Sequence, residues 1–200
     1  KLVPFNLEGT KEYVAVLRFG QETDTLDADG KIVAETREFF FPREKLEETL
    51  NRYRGTIRQT PPVFSAIKKG GVPVYRQARA GQRPVLSERE AVIESLELKE
   101  LSLPRATIAV TCGRGTYIRS LAADIGRGLG CGGHLSALTR LASGGFTLGD
   151  ALTLEELEDQ VRRGVVRQVV IPMARALPEI PAVIASPLVV ERVRTGRPLT

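Results

Sequence analysis

The fold is decided by residues 110–121, which read VTCGRGTYIRSL, because this stretch joins an apolar strand pattern to a helical pattern through two glycines. The junction predicts that Arg114, Tyr117 and Arg119 lie around one strand-to-helix corner. Backbone amides at a helix start are partly positive, and a guanidinium and an aromatic face beside them suit a flat, anionic ligand such as a nucleotide. The same residues fit a second interpretation equally well, in which Arg119 pairs with a nearby carboxylate and Tyr117 is a core aromatic.

The composition is that of a globular protein with enough apolar residues for a core. The chain has 200 residues, of which 42% are hydrophobic and 26% charged. No run approaches the roughly 20 consecutive apolar residues of a membrane helix, and we expect no signal peptide. Two cysteines, Cys112 and Cys131, and one histidine, His134, are too few for a disulfide framework or a zinc site. We therefore expect a cytoplasmic protein without a metal or a membrane segment.

The positive charge is concentrated in one segment. Residues 49–87 contain eight of the 29 lysines and arginines and no aspartate or glutamate. The other residues hold the remaining 21 basic and all 24 acidic groups, so they are slightly acidic although the whole chain has a net charge of +5. A phosphate backbone would attract such a segment, and binding would depend on salt. The alternative is a solvated basic loop without a partner.

The order of the elements favours an α+β fold, because strands and helices are mixed without regular alternation. Strand patterns cover residues 13–20, 31–41, 92–101, 106–112 and 134–142, and we expect the second strand to pair back on the first. Helical patterns cover residues 42–54, 116–129, 153–164 and 188–194. Between them, residues 59–86 form a long excursion rich in proline, glycine and basic side chains, and such excursions are usually functional or disordered.

Three familiar chemistries are not supported. The acidic run TDTLDADG at residues 23–30 places Thr25 and Thr36 where a calcium loop needs acids, so a turn whose aspartates bond to backbone amides is preferred. His134 has no serine or cysteine partner at a recognisable spacing, which leaves a nucleophilic triad unsupported. The glycines of residues 126–133 follow a helix rather than a strand, so they do not form a dinucleotide-binding loop.

Several blocks, in this order along nearly the whole chain, resemble the bacterial tRNA pseudouridine-55 synthases of the TruB family. The blocks are EYVAVLRFG (12–20), TDTLDADG (23–30), QTPPVFSAIK (59–68), VYRQARAG (74–81), RGTYIR (114–119), GCGGHL (130–135) and LTRL (138–141). Eukaryotic and archaeal relatives that use guide RNAs share the GTYIR corner but are less similar around residues 59–81. The resemblance implies the pseudouridine synthase fold, a mixed, largely antiparallel sheet flanked by helices and loops, with a basic thumb loop at about residues 60–88.

The resemblance also implies the isomerisation of uridine 55 in the T-loop of tRNA, without a metal or cofactor. Tyr13 would stack on the flipped base and help to remove the proton from C5. Arg119 would pair with a nucleophilic carboxylate, and Tyr117 and Leu138 would line the pocket around the base.

The tRNA partner would be held by its T-arm stem-loop. Lys68 and Arg79 in the thumb loop and Arg140 near the pocket are expected RNA contacts, although each fits a solvated surface role equally well. We expect a catalytic domain over residues 1–185 and the start of a truncated PUA-like RNA-binding domain over residues 186–200, in a monomeric protein.

The sequence differs from the TruB family pattern at the nucleophile. The family's catalytic aspartate stands in a GHTGxLDP motif upstream of the block that contains Tyr13, and the 200 residues contain no such motif. Asp24, Asp27, Asp29 and Asp124 all lie in other contexts. We therefore expect an N-terminally incomplete domain that is inactive unless the missing segment is supplied. A non-catalytic tRNA-binding or RNA-folding module is the alternative.

Overall fold

The computed structural model describes residues 9–65, 67–69, 72–79, 86–173, 175–177, 180–181 and 183–198. The strands in these residues are β1 (Lys11–Phe19), β2 (Gln21–Thr23), β3 (Ile32–Glu35), β4 (Gly55–Gln59), β5 (Lys68–Lys69), β6 (Val72–Pro73), β7 (Arg89–Ser102), β8 (Arg105–Cys112), β9 (Gly133–Ser143) and β10 (Phe146–Thr147). The α-helices are α1 (Arg43–Asn51), α2 (Val74–Arg79), α3 (Ile118–Gly128), α4 (Leu154–Arg162) and α5 (Pro187–Arg194), with 3-10 turns at Leu148–Asp150 and Val166–Gln168. No helix in the described ranges is long and apolar enough to cross a bilayer.

A six-stranded sheet forms the centre of the fold, in the order β10-β9-β1-β8-β7-β4, and every neighbouring pair in it is antiparallel. Alternate residues of β1 are buried on one face, as the sequence pattern predicts for a strand with one face in the core. Helices α1 and α3 contribute Leu46, Leu50, Leu121 and Ile125 to the same core. A single parallel bridge joins Asp27 to Leu135 outside the regular ladders. The α+β prediction is confirmed.

Helix α3 lies very close to the start of β9. A Cβ atom on Gly126 would stand 2.5 Å from the carbonyl carbon of Gly132 and from the nitrogen of Gly133, both of which are backbone atoms. Only glycine fits this approach, so the backbone contact fixes the position of α3 relative to the sheet.

The expected strand over residues 31–41 is shorter than predicted, and its partner was predicted wrongly. Only Ile32–Glu35 is extended, and it pairs with β2 instead of β1. The reason is that β8 and β9 occupy both hydrogen-bonding edges of β1. Gly20, whose φ is +84°, turns the chain at the end of β1, so that β2 and β3 form a separate hairpin.

The helix termini agree well with the sequence signals. Helix α1 ends at Asn51, and Gly55 follows with a φ of +80°. At the start of α4, the Glu156 amide donates to the Thr153 hydroxyl (3.1 Å) and the Thr153 amide donates to the Glu156 carboxylate (2.7 Å). The predicted capping box is confirmed.

Candidate active site

The strand-to-helix corner is held by a buried glutamine from a different strand. Tyr117 precedes α3 in an extended conformation, and its own side chain makes no capping hydrogen bond. Instead, its amide donates to Oε1 of Gln59 (2.8 Å), and Nε2 of Gln59 donates back to its carbonyl oxygen (3.1 Å). Gln59 is only 2% exposed. The predicted corner is confirmed, and its geometry is fixed from outside by Gln59.

The guanidinium of Arg119 joins three separate parts of the chain. Its Nη1 donates to Oδ2 of Asp27 (2.9 Å) and to the carbonyl oxygen of Thr25 (3.2 Å), while Nη2 donates to the carbonyl oxygen of Phe64 (2.8 Å). About a quarter of each side chain in the Arg119–Asp27 pair is exposed. The pairing with a nearby carboxylate, which was one of the two interpretations of the sequence, is therefore observed, and the carboxylate belongs to Asp27.

The acidic turn holds Asp27 in a fixed orientation toward Arg119. Oδ1 of Asp27 accepts hydrogen bonds from the Thr25 hydroxyl and from the Asp29 amide (3.2 Å). Leu26 has a φ of +64°, which is the left-handed region and is strained for a side chain of this size. The expected turn, in which aspartates bond to backbone amides, is confirmed. The contact between Asp27 and Arg119 was not predicted, and the position of Asp27 within the TDTLDADG block was the only available signal.

A cleft of about 330 Å³ opens beside this ion pair. Its lining comprises Asp27, Ala28, Asp29, Arg119, Leu135, Ser136, Ala137 and Leu138. Leu138 is 45% exposed, so an apolar side chain faces the cleft close to a cation and an anion. Two of the predicted site residues, Arg119 and Leu138, thus lie at one cleft.

Tyr13 and Arg140 lie next to this cleft along the sheet. Across the β1–β9 pair, Ala15 is opposite Leu138 and Tyr13 is opposite Arg140. Tyr13 is 8% exposed, and Cζ of Arg140 lies 5.4 Å from the centroid of its ring, which is a cation–π contact. Because residues two apart on a strand share a face, Arg140 and Leu138 are on the same side of β9.

The other predicted site residues stay predictions. Lys68 lies in β5 and Arg79 at the end of α2, but the side chains of both fall outside the described part of the structure. The expected thumb loop contains these elements together with residues 66, 70–71 and 80–85, which are not described. The Tyr117 ring is half-buried.

The remaining candidate groups have structural roles. His134 is buried, and its Nδ1 donates to the carbonyl oxygen of Gln21 (2.9 Å), because a carbonyl can only accept. Burial raises the pKa of both the Cys112 and the Cys131 thiols, which opposes a nucleophilic role. Among the described residues, no group of three or more histidine, cysteine or acidic side chains could hold a metal ion.

A larger cavity of about 630 Å³ is also bordered by the acidic turn. Asp24 and Leu26 of the turn line it, together with Ser120 and Asp124 of α3. Burial raises the pKa of Asp124, against the opposing effect of the Arg127 charge. We place the candidate site at the smaller cleft, because that cleft combines the Arg119–Asp27 pair with an exposed apolar wall.

The sequence matches two family models over most of its length. One is described as "TruB family pseudouridylate synthase (N terminal domain)" and matches residues 1–118; the other is described as "tRNA pseudouridylate synthase B C-terminal domain" and matches residues 119–178. The tRNA pseudouridine synthase B of Francisella tularensis subsp. novicida is 46% identical over 160 residues, covering 80% of this chain and 53% of the relative. That of Geobacter sulfurreducens is 38% identical over 198 residues, covering 99% of this chain and 65% of the relative.

A solved structure shares the fold. A protein in the crystal structure of a Cbf5-Nop10-Gar1 complex aligns with a TM-score of 0.70 and 27% identity, covering 96% of this chain and 50% of its own. This likeness confirms the fold implied by the resemblance. The chain spans between about half and two thirds of the length of the curated relatives described above. Since the first family model alone matches more than half of the residues, the chain belongs to the TruB family of pseudouridylate synthases.

Proposed function

We propose that this chain forms the base-binding pocket of an enzyme that isomerises uridine to pseudouridine at position 55 in the T-loop of tRNA. The curated relatives are named tRNA pseudouridine synthase B. The observation that carries the proposal is the guanidinium of Arg119, which is fixed at a cleft whose apolar wall includes Leu138. The reaction needs an apolar wall against which the pyrimidine base packs and a polar group that orients the reacting carboxylate.

The chemistry requires breaking the bond from N1 to the ribose, turning the base and rejoining it through C5. A uridine inside a folded stem-loop must first be everted, which costs a few kcal/mol, and stacking on an aromatic ring returns about 1–3 kcal/mol. Tyr13 supplies that ring and helps to remove the C5 proton. Tyr13 is only 8% exposed and the Arg140 guanidinium contacts its ring, so the base reaches the ring only when that guanidinium moves aside. In its new position the guanidinium binds a phosphate of the everted nucleotide.

Arg119 binds two carboxylates, that of Asp27 and that of the nucleophilic aspartate. A guanidinium has five N–H donors, and its contacts within the described residues are one carboxylate and two carbonyl oxygens. The fork therefore has capacity for a second carboxylate. A charge-assisted pair keeps that carboxylate ionised inside a desolvated pocket and fixes its direction.

The T-arm is held by the basic thumb loop, with Lys68 and Arg79 as phosphate contacts, and Tyr117 forms part of the wall around the base. The enzyme acts in the cytoplasm as a monomer, without a metal or cofactor. Its catalytic domain covers residues 1–185, and residues 186–200 begin a PUA-like RNA-binding domain.

Tritium release from tRNA labelled at C5 of uridine tests this function. The chain is joined to an N-terminal segment that carries the family's GHTGxLDP motif, and the matched control replaces the aspartate of that motif with asparagine. The joined protein should release tritium, while the control and the 200-residue chain should bind the T-arm without release. If the joined protein binds the T-arm tightly and releases none, the chain is a non-catalytic RNA-binding module. If the affinity for tRNA does not change with salt concentration, the basic segment is not an RNA-binding surface.

A further inference from the structure

A short stretch, residues 59–64, runs along the first turn of α3, and we call it the anchor segment. Besides the two hydrogen bonds between Gln59 and the backbone of Tyr117, the Ser120 hydroxyl donates to the carbonyl oxygen of Thr60 (2.7 Å). Nη2 of Arg119 donates to the carbonyl oxygen of Phe64 (2.8 Å). The anchor segment thus contacts three of the four residues from 117 to 120, and it overlaps the start of the expected thumb loop.

We propose that Gln59 is a positioning residue for Arg119, acting through the backbone of Tyr117 and the anchor segment and not through contact with RNA. The inference rests on the proposed function only in giving Arg119 a part in catalysis.

The physical basis is the special position of Tyr117. The first amides of a helix have no partner inside the helix, and a serine, threonine, aspartate or asparagine at the preceding residue usually satisfies one of them. The Tyr117 side chain makes no such bond. Gln59 satisfies a different amide, that of Tyr117 itself, which a glutamate or glutamine at the third helical position satisfies in a capping box. By also donating to the Tyr117 carbonyl, Gln59 fixes both sides of this residue and therefore the direction in which α3 starts.

Arg119 follows Tyr117 by two residues, so a rotation at the start of α3 moves the guanidinium away from Asp27 and Phe64. The anchor segment is bonded to the start of α3 at both of its ends. Gln59 at one end binds Tyr117, and the Phe64 carbonyl at the other end accepts from Arg119. Releasing the Gln59 end therefore loosens both the helix that carries Arg119 and one of its three acceptors.

A glutamate substitution tests this dependence in a reversible way. In Gln59→Glu, an ionised carboxylate accepts from the Tyr117 amide but cannot donate to the Tyr117 carbonyl, whereas a protonated carboxyl does both. Arg58 precedes position 59 and Arg89 is its partner across the β4–β7 pair, and both favour the ionised form; Glu90 opposite Arg58, Glu88 paired with Arg58 and burial oppose it. In Gln59→Glu, the hydrogen bond to the Tyr117 carbonyl should therefore be lost at alkaline pH and restored at mildly acidic pH, in one and the same protein.

The first measurement needs no activity. Nitrogen-15 NMR of the guanidinium groups in the 200-residue chain should show resolved Nη signals for Arg119, assigned by their loss in Arg119→Lys, because three acceptors restrict rotation. These signals should collapse in Gln59→Glu at alkaline pH and return on acidification, and they should be unchanged in Gln168→Glu, a matched change at an exposed glutamine. Unchanged Arg119 signals in Gln59→Glu at alkaline pH would overturn the proposal.

The second measurement uses the protein joined to the aspartate-bearing segment. Gln59→Leu should lower the single-turnover rate of tritium release about 10–100-fold, with the Kd for tRNA within about threefold, as expected for a misplaced catalytic group. A folded Gln59→Leu protein with a normal rate would overturn the proposal. If the unsubstituted joined protein releases no tritium, the proposed function fails, while the NMR result still decides the positioning role of Gln59.

Discussion

Removing the charge of Asp27 should destabilise the domain measurably, because the Asp27–Arg119 pair is only partly exposed. Exposed ion pairs contribute about 0–1 kcal/mol, and breaking a buried pair by removing one partner costs about 3–5 kcal/mol. The pair has an N–O distance of 2.9 Å and about a quarter of each side chain exposed. We therefore expect Asp27→Asn to lower the free energy of unfolding by about 2 kcal/mol, which for a domain of this size lowers Tm by about 4–8 °C.

The assay is thermal and urea unfolding of four proteins that form a double-mutant cycle, in which Arg119→Met removes the other partner. The coupling free energy should be about 1–2 kcal/mol, because the two side chains contact each other directly. Asp29→Asn is the matched control, since Asp29 is exposed and the charge change is the same; its effect should stay within about 0.5 kcal/mol. If Asp27→Asn behaves like this control, or the coupling is zero, then Asp27 does not hold the guanidinium and the reasoning about the cleft is wrong.

Three further predictions concern packing, pH and RNA. Gly126→Ala should lower the free energy of unfolding by about 2 kcal/mol, measured by urea unfolding, because the added Cβ meets backbone atoms and outweighs the gain in helix propensity. The pKa of Glu156 should lie below that of an ordinary glutamate in an NMR titration, because the Thr153 amide donates to its carboxylate and, as a smaller effect, so does the Thr153 hydroxyl. These bonds to the ionised carboxylate stabilise α4 at pH values above the unfolded-state pKa, and the stabilisation is lost as the pH falls through the folded-state pKa. Replacing Lys68 and Arg79 by alanine should weaken tRNA binding and reduce the slope of log Kd against log salt by about 2 units, measured by filter binding.

Each of these predictions has a matched control. Gly128→Ala should cost less than Gly126→Ala, because its Cβ meets only the ends of two side chains at 3.3 Å. Thr153→Ser should preserve the low pKa of Glu156 and Thr153→Ala should raise it; equal values in the two variants would contradict the capping geometry. Arg162 is the last residue of α4 and Arg163 follows it, and both are exposed. Alanine at both positions removes the same charge as the thumb-loop variant, and an equal loss of affinity would show that binding follows net charge alone.

The local elements were predictable from sequence wherever a short-range pattern determines them. Alternation of apolar residues identified β1, and two glycines before a helical pattern identified the corner at α3. The strand at residues 31–41 was wrong in length and in partner, because strand propensity does not reveal that both edges of β1 are already paired.

The site itself could be predicted only in part. Family resemblance identified Arg119 and Leu138, which the structure places at one cleft. Asp27 and Gln59 were missed as partners of that corner because they are 92 residues from Arg119 and 58 residues from Tyr117, respectively. Contacts over such separations leave no periodic trace in a single sequence, and they become visible only when the sheet and α3 are assembled.

The account depends most directly on Arg119 acting on the everted uridine. The decisive measurement is the single-turnover rate of tritium release, together with the Kd for tRNA, for Arg119→Ala in the joined protein with cooperative unfolding verified. We predict a loss in rate of at least about 10²–10³-fold, comparable to removing a charge-stabilising group from an active site, with the Kd within about threefold. A near-normal rate in the folded variant would remove Arg119 from the active site and contradict the account.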